Sequence, residues 1–301
     1  MNILITGKTG FVGQNLCAYL GHAKNATIGG LNLRQAGWQN DIAADTGVIV
    51  HLAGKAHDLK NASDPGVYYQ VNYELTRQVY DAFLASNAKK FIFISSVKAA
   101  ADSVDGVLTE DGRSSPKTDY GKSKLQAEQY IQSLPLPAGK SWYILRPCMI
   151  HGPGNKGNLN LLYSFVSKGL PYPLASFENK RSFLSVENLC FIIQELIERD
   201  DIPQAIYNAA DDEALSTNEV VSLLSEAIGK SPRLLHIPKG LISFMAKIGD
   251  ALKLPLTTER LRKLTENYVV SNQKIKLALA KELPLTARDG ILKTAASFTH
   301  S

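Results

Sequence analysis

The chain is 301 residues long and 45% hydrophobic, enough to bury a full core in one domain or in two closely joined ones. Its 33 basic and 28 acidic residues leave a net charge of +5 with no block of one sign, which excludes a nucleic-acid-binding arm. The 13 prolines and 22 glycines form no repeat, and Cys17, Cys148 and Cys190 lack the paired spacing of a zinc site or disulfide framework, so a reduced, cytoplasmic setting is expected.

Asn2–Thr6 reads as a buried strand emptying into Gly7-Lys8-Thr9-Gly10-Phe11-Val12-Gly13, with a helical pattern from Gly13 to Leu20. No charged-then-apolar leader stands before that strand. Glycine is needed where a β-carbon would block a tight turn, the approach of backbone to pyrophosphate, or the packing of helix on strand. The helix start then offers backbone N–H groups to phosphate, so the segment predicts a dinucleotide site, with G-x-x-G-x-x-G spacing instead of G-x-G-x-x-G.

A second strand, Ala26–Leu33, ends at Arg34 with no acid before Asp41. A carboxylate there would bind a ribose 2′-hydroxyl, whereas Arg34 suits a 2′-phosphate; NADP(H) is expected, with NAD(H) as the alternative. Arg34 to Gly47 is too short for a full helix and strand, which predicts an abbreviated connection before Val48–Leu52, read as a fourth strand. A helix over Tyr68–Ser86 and a strand over Lys90–Ser95 follow, the latter closing in the hydroxyls of Ser95 and Ser96 at the edge where open α/β sheets bind ligands. Tyr120 and Lys124 share one face of the next helix, which runs toward Leu134.

After the strand Trp142–Arg146 the pattern loosens at Gly154-Asn155-Lys156-Gly157-Asn158, then gives a helix through Lys168 and the Pro171-Tyr172-Pro173 turn. Val186–Arg199 reads as a helix, Ala205–Ala209 as a strand and Thr217–Gly229 as a helix. Alternating strands and helices predict an α/β fold, a doubly wound parallel Rossmann sheet with a smaller C-terminal α/β substrate lobe. Residues 1–150 and 181–211 are assigned to the dinucleotide-binding part, 151–180 and 212–301 to the lobe. Gly240 to Ile248 is too short to span a bilayer and is read as a helix docked on the protein; no membrane insertion is expected.

These motifs resemble the extended short-chain dehydrogenase/reductase family of nucleotide-sugar epimerases, dehydratases and reductases. The likeness also draws on His51-Leu52-Ala53-Gly54, Val71-Asn72, Arg146-Pro147, His151-Gly152-Pro153-Gly154 and Asn179-Lys180-Arg181-Ser182-Phe183, and covers nearly the whole chain. It implies that Tyr120 is the general acid/base, that Lys124 lowers its pKa and holds the nicotinamide ribose, and that Ser96 orients the sugar. A free phenol titrates near 10, so a nearby cation is the physical requirement. The resemblance assigns cofactor contacts to Gly7, Thr9, Gly10, Phe11, Val12, Gly13, Arg34, Leu52, Ala53, Gly54, Tyr120, Lys124 and Pro147. It assigns substrate contacts to Ser96, Asn158 and Arg181, support of the site to Asn72, and no metal.

Within the family, 4,6-dehydratases carry an acidic pair just after the catalytic hydroxyl, and bifunctional epimerase-reductases a cysteine; this chain has Val97-Lys98. The nearest likeness is to bacterial reductases of UDP-4-keto-6-deoxy-N-acetylhexosamines, in surface-polysaccharide sugar biosynthesis. The alternatives are an NAD-dependent UDP-hexose or UDP-N-acetylhexosamine 4-epimerase and, from another class, a non-catalytic NADP-sensing regulator. A UDP-sugar partner and a homodimer through the helices carrying Asn72 and Tyr120 are expected.

Overall fold

The computed structural model describes residues 1–21, 27–55, 64–155, 157–252 and 256–298. Strand β1 (Asn2–Thr6) is followed by α1 (Phe11–Leu20), β2 (Thr27–Leu31) and β3 (Thr46–His51). Then come α2 (Pro65–Tyr68), a π-helical turn over Tyr69–Glu74, α3 (Leu75–Ala85) and β4 (Lys90–Ile94). Next are β5 (Val107–Leu108), α4 (Asp119–Ser133), β6 (Ser141–Pro147), β7 (Met149–His151), α5 (Asn158–Ser167) and β8 (Phe183–Ser185). The chain closes with α6 (Val186–Glu198), β9 (Ile206–Ala209), α7 (Thr217–Ala227), α8 (Lys239–Leu252), α9 (Thr258–Thr265), β10 (Val269–Val270), α10 (Gln273–Leu279) and α11 (Ala287–Phe298). Ala26, the expected start of the second strand, lies outside the described residues.

Six strands form one parallel sheet in the order β2-β1-β3-β4-β6-β9, so the winding reverses between β1 and β3. Alternate side chains of each strand feed opposite layers. Ile3, Ile5, Val50, Ile92 and Leu145 meet Leu16 and Leu20 of α1 and Leu189, Ile192 and Leu196 of α6. On the other face Leu4, Ile49, Phe91, Phe93 and Ile144 meet Val79, Tyr80 and Phe83 of α3 and Ala127 and Ile131 of α4. This is the doubly wound sheet that the alternation predicts. One expectation is corrected: between Leu31 and Thr46 the chain makes only a 3-10 turn over Trp38–Asp41, with no strand, so the strand ending at His51 is the third and not the fourth. The buried Trp38 plugs the sheet edge there.

A separate apolar cluster joins α5, α7, α8, α9 and α11 through Leu159, Val221, Leu224, Ile242, Leu261 and Ile291. It is tied back to the sheet region by the β5–β10 and β7–β8 pairs. The sheet's C-terminal edge, where Thr6, His51, Ile94 and Pro147 end their strands, faces this junction and carries the site.

Candidate active site

Leaving β1, the chain turns at Gly7 with φ of +70°. A β-carbon on Gly7 would stand 2.8 Å from the Ala53 backbone nitrogen, and one on Gly13 2.3 Å from the Gly7 carbonyl oxygen. Only glycine lets β1, α1 and the loop after β3 come this close. No side chain caps α1 at Gly10, so the first-turn N–H groups near Phe11, Val12 and Gly13, with the positive dipole end, are left to an anion. A cradle that excludes a β-carbon and attracts negative charge fits a dinucleotide pyrophosphate. Leu52 and Ala53 line it, their N–H groups donating to the Thr6 carbonyl (3.3 Å) and the Thr6 Oγ1 (3.1 Å).

Strand β4 delivers Ser95 and Ser96 to the same edge. Ser96 is extended, with φ of −163°, and starts a 3-10 turn over Val97–Ala99 in which its Oγ accepts the Lys98 N–H at 3.2 Å. Helix α4 begins after Thr118, whose Oγ1 accepts the Gly121 N–H at 3.2 Å, and then presents Tyr120, Lys124 and Glu128 four residues apart along one face. The Tyr120 phenol is hydrogen-bonded to Ser96, and its ring stands edge-on to Tyr68 with centroids 6.0 Å apart. The structure therefore brings Ser96, Tyr120 and Lys124 together at the end of β4.

Their electrostatics differ from expectation. Burial holds the Tyr120 phenol above its ordinary pKa; the Ser96 hydrogen bond works against that rise and Tyr68 adds to it. Lys124 does not reverse it. Its Nζ donates to the Ile94 carbonyl at 2.9 Å, 4.8 Å from the Phe93 ring centroid. Burial pushes the amine's own pKa down to about 8, opposed by the negative charge of Glu128. Desolvation governs both groups because each is buried at the same edge.

Two functional neighbours are absent from the sequence reading. Glu128, fully buried, accepts hydrogen bonds from Ser95 Oγ (2.5 Å), Arg146 Nε (2.9 Å) and Arg146 Nη2 (2.6 Å). Its signal was its place four residues beyond Lys124, which reads equally as a solvated helix face. Lys8 stretches across β2, its stem against Gly30 and its Nζ donating to the Ile28 carbonyl at 3.3 Å. Its amine thus lies near the start of β2, whereas the exposed Arg34 follows the strand's end, in a turn closed by its N–H to Asn32 Oδ1 at 3.2 Å.

Asn72 is buried in the π-helical turn. Its Oδ1 accepts the Lys55 N–H at 2.8 Å, and its Nδ2 donates to the Lys55 carbonyl (3.1 Å) and Ser123 Oγ (3.2 Å), pinning the chain after Gly54 to α4 beside Lys124. His51, held between Thr6 and Thr76, has its pKa pushed down to about 3 by burial first and Lys124 second, so it stays neutral. Pro147 ends β6, level with Ala209 of β9.

Arg181 lies across the junction. Its Nη1 donates to the Lys263 carbonyl (3.1 Å), its Nη2 stands 3.6 Å from Glu266, and it shares an electrostatic cluster with Lys98, two residues beyond Ser96. Burial lowers its pKa. Asn158 opens α5, and its side chain lies outside the described residues. No group of three or more metal-ligating side chains occurs among the described residues.

The family model "NAD dependent epimerase/dehydratase family" matches residues 3–210. The chain is 32% identical to the UDP-glucose 4-epimerase of Vibrio cholerae, over 99% of this chain and 95% of that protein. It is 29% identical to the UDP-2-acetamido-2,6-beta-L-arabino-hexul-4-ose reductase of Pseudomonas aeruginosa, over 53% of this chain and 38% of that protein. Among solved structures, UDP-glucuronic acid 4-epimerase from Bacillus cereus in complex with NAD superposes with a TM-score of 0.77 at 18% identity, over 100% of this chain and 99% of that one. RMD from Pseudomonas aeruginosa complexed with NADPH gives 0.76 at 20% identity, over 98% and 97%. At such identities the structural likeness is one of fold.

Proposed function

We propose, because the chain belongs to the NAD-dependent epimerase/dehydratase family, that it is a nucleotide-sugar enzyme and, more narrowly, an NADPH-dependent reductase of the C4 keto group of a UDP-4-keto-6-deoxy-N-acetylhexosamine. The observation that carries the narrower reading is the end of β2. Arg34 follows that strand, and no acid stands between Leu31 and Asn40. Asp45, the next acid after Asp41, is turned to Asn2 at the opposite end of β1. A cation without a carboxylate beside it favours a 2′-phosphate.

In this reading the glycine loop and the α1 N-terminus hold the pyrophosphate, and Lys124 holds the nicotinamide ribose. The reduced nicotinamide, when bound, supplies hydride. Tyr120, kept protonated by burial, gives its proton to the oxygen at C4, and Ser96 donates a hydrogen bond to that same oxygen. Arg181 takes the sugar diphosphate, and residues 151–180 and 212–301 form the lobe that closes over it.

The Vibrio cholerae relative, matched over almost its whole length, favours a second reading: UDP-hexose 4-epimerisation, in which one site oxidises and re-reduces C4. Mixing the protein with UDP-4-keto-6-deoxy-N-acetylglucosamine and NADPH separates the two. Stoichiometric loss of reduced-nicotinamide absorbance, with the C4 alcohol identified by NMR, establishes the reductase. No loss, with UDP-hexose interconversion on added NAD, establishes the epimerase. NADPH binding with neither reaction leaves a sensor.

A further inference from the structure

Helix α8 is anchored by one face and bare on the other. Ile242 and Ala246 are buried in the second apolar cluster and Gly249 under the Leu256 backbone, while Leu241, Phe244, Met245, Ile248 and Leu252 point outward, with Phe244 60% and Leu252 66% exposed. Spacings of three, four, seven and eleven residues from Leu241 place all five on one stripe. Scattered exposed leucines need no explanation, but a continuous stripe on a rigid helix does.

The charge beside the stripe selects its occupant. Lys239 and Lys247 belong to α8, and Arg260 and Arg262 to α9, which packs against it. The acids of the pair are engaged locally: Asp250 accepts from the Thr258 N–H and hydroxyl (3.1 and 2.5 Å), and Glu259 pairs with Lys263 at 2.7 Å. A two-fold contact with a second copy would set this basic rim against itself, whereas anionic headgroups neutralise it.

We infer that the α8–α9 pair docks this protein on an anionic bilayer surface, with the Leu241–Leu252 stripe at the acyl boundary and the basic side chains among the headgroups. An apolar face of Leu, Phe and Ile beside lysines is the composition of an interfacial helix. At 14 residues α8 lies along the surface and does not cross it, and no helix among the described residues is long and apolar enough to cross. The Asn179 Nδ2 and Arg181 Nη1 donate to the carbonyls of Leu264 and Lys263 (3.4 and 3.1 Å), so the docked face is fastened to the segment that carries Arg181. The surface stands whatever reaction the site performs.

The test is sedimentation of the full chain with vesicles of phosphatidylcholine alone and of phosphatidylcholine with phosphatidylglycerol, at low and high salt. Binding is expected only with phosphatidylglycerol, weakening several-fold at high salt. The Phe244→Gln and Leu252→Gln changes should each lower it about tenfold, with an unchanged circular-dichroism melt because both side chains are already mostly in water. A Phe244→Trp reporter should shift its fluorescence to the blue on the anionic vesicles. The inference is overturned by absence of sedimentation, by binding that both glutamine variants retain, or by a dimer in ultracentrifugation that these variants dissolve, which would give the stripe to a second copy.

Discussion

Glu128 stands one turn beyond Lys124 on α4, the carboxylate fully buried and the amine nearly so, yet the carboxylate is neutralised by Arg146, not by the lysine. It therefore acts on Lys124 at a distance, raising a pKa that burial depresses. Glu128→Gln should cost about 3 kcal/mol, because Arg146 is left buried without its counter-charge. It should also move the alkaline limb of the kcat profile to lower pH as the Lys124 pKa falls further. Denaturant melts and pH profiles check both, and pairing Glu128→Gln with Arg146→Leu should recover part of the lost stability.

Lys124 also makes stability depend on pH. Its folded pKa of about 8 lies below the ordinary 10.5, so at this site the unfolded chain binds more protons between those values and the lysine's contribution to stability rises with pH across that window. Below pH 8 the buried cation costs roughly 3 kcal/mol. The difference in urea-unfolding free energy between wild type and Lys124→Met should shift in the wild type's favour from pH 8 to 10.5, even as that variant loses activity. The buried thiols of Cys148 and Cys190, whose pKa values burial raises, pull the stability of both proteins down alike as the pH climbs.

Tyr120→Phe should lower turnover by about 10²–10⁴-fold and leave NADPH affinity within about twofold, since the proton donor is lost and the pyrophosphate cradle is untouched. Because burial raises the phenol's pKa, reduction by the wild type should not fall through neutral pH and should decline only on the alkaline side. Loss of cofactor binding in the phenylalanine variant would remove Tyr120 from the chemistry.

Arg34→Ala should weaken NADPH by about tenfold and NADH hardly at all, because only the former carries the 2′-phosphate that the guanidinium attracts. Fluorescence titration with both dinucleotides decides. Equal weakening would refute the phosphate contact and move the assignment toward the NAD-using epimerase.

The parts of the site set by local spacing were readable in the chain. Gly7, Gly10 and Gly13 mark a turn that no other residue fits, and the Ser95-Ser96 end of an apolar strand falls at the ligand edge of a parallel sheet. Tyr120 and Lys124 share a helix face by periodicity alone. What stayed hidden depends on burial or on distant partners. Glu128 looks like a surface charge until Arg146, 18 residues on, is brought against it. Lys8 looks like a spacer in a glycine loop until its stem crosses Gly30. The pKa direction of Tyr120 required knowing how dry the edge is, and the bare face of α8 required knowing which half of an apolar helix finds the core.

The turn that follows Ser96 is closed from far down the chain, by the Tyr268 hydroxyl donating to the Ala101 carbonyl at 2.6 Å and reaching the Val97 carbonyl at 3.4 Å, with Lys98 over its ring. A nascent chain that has already assembled β1 to β4 still lacks this clasp. The cradle for the dinucleotide can thus form during synthesis, but the turn behind the Ser96 hydroxyl is clasped only after residue 268 has cleared the ribosome.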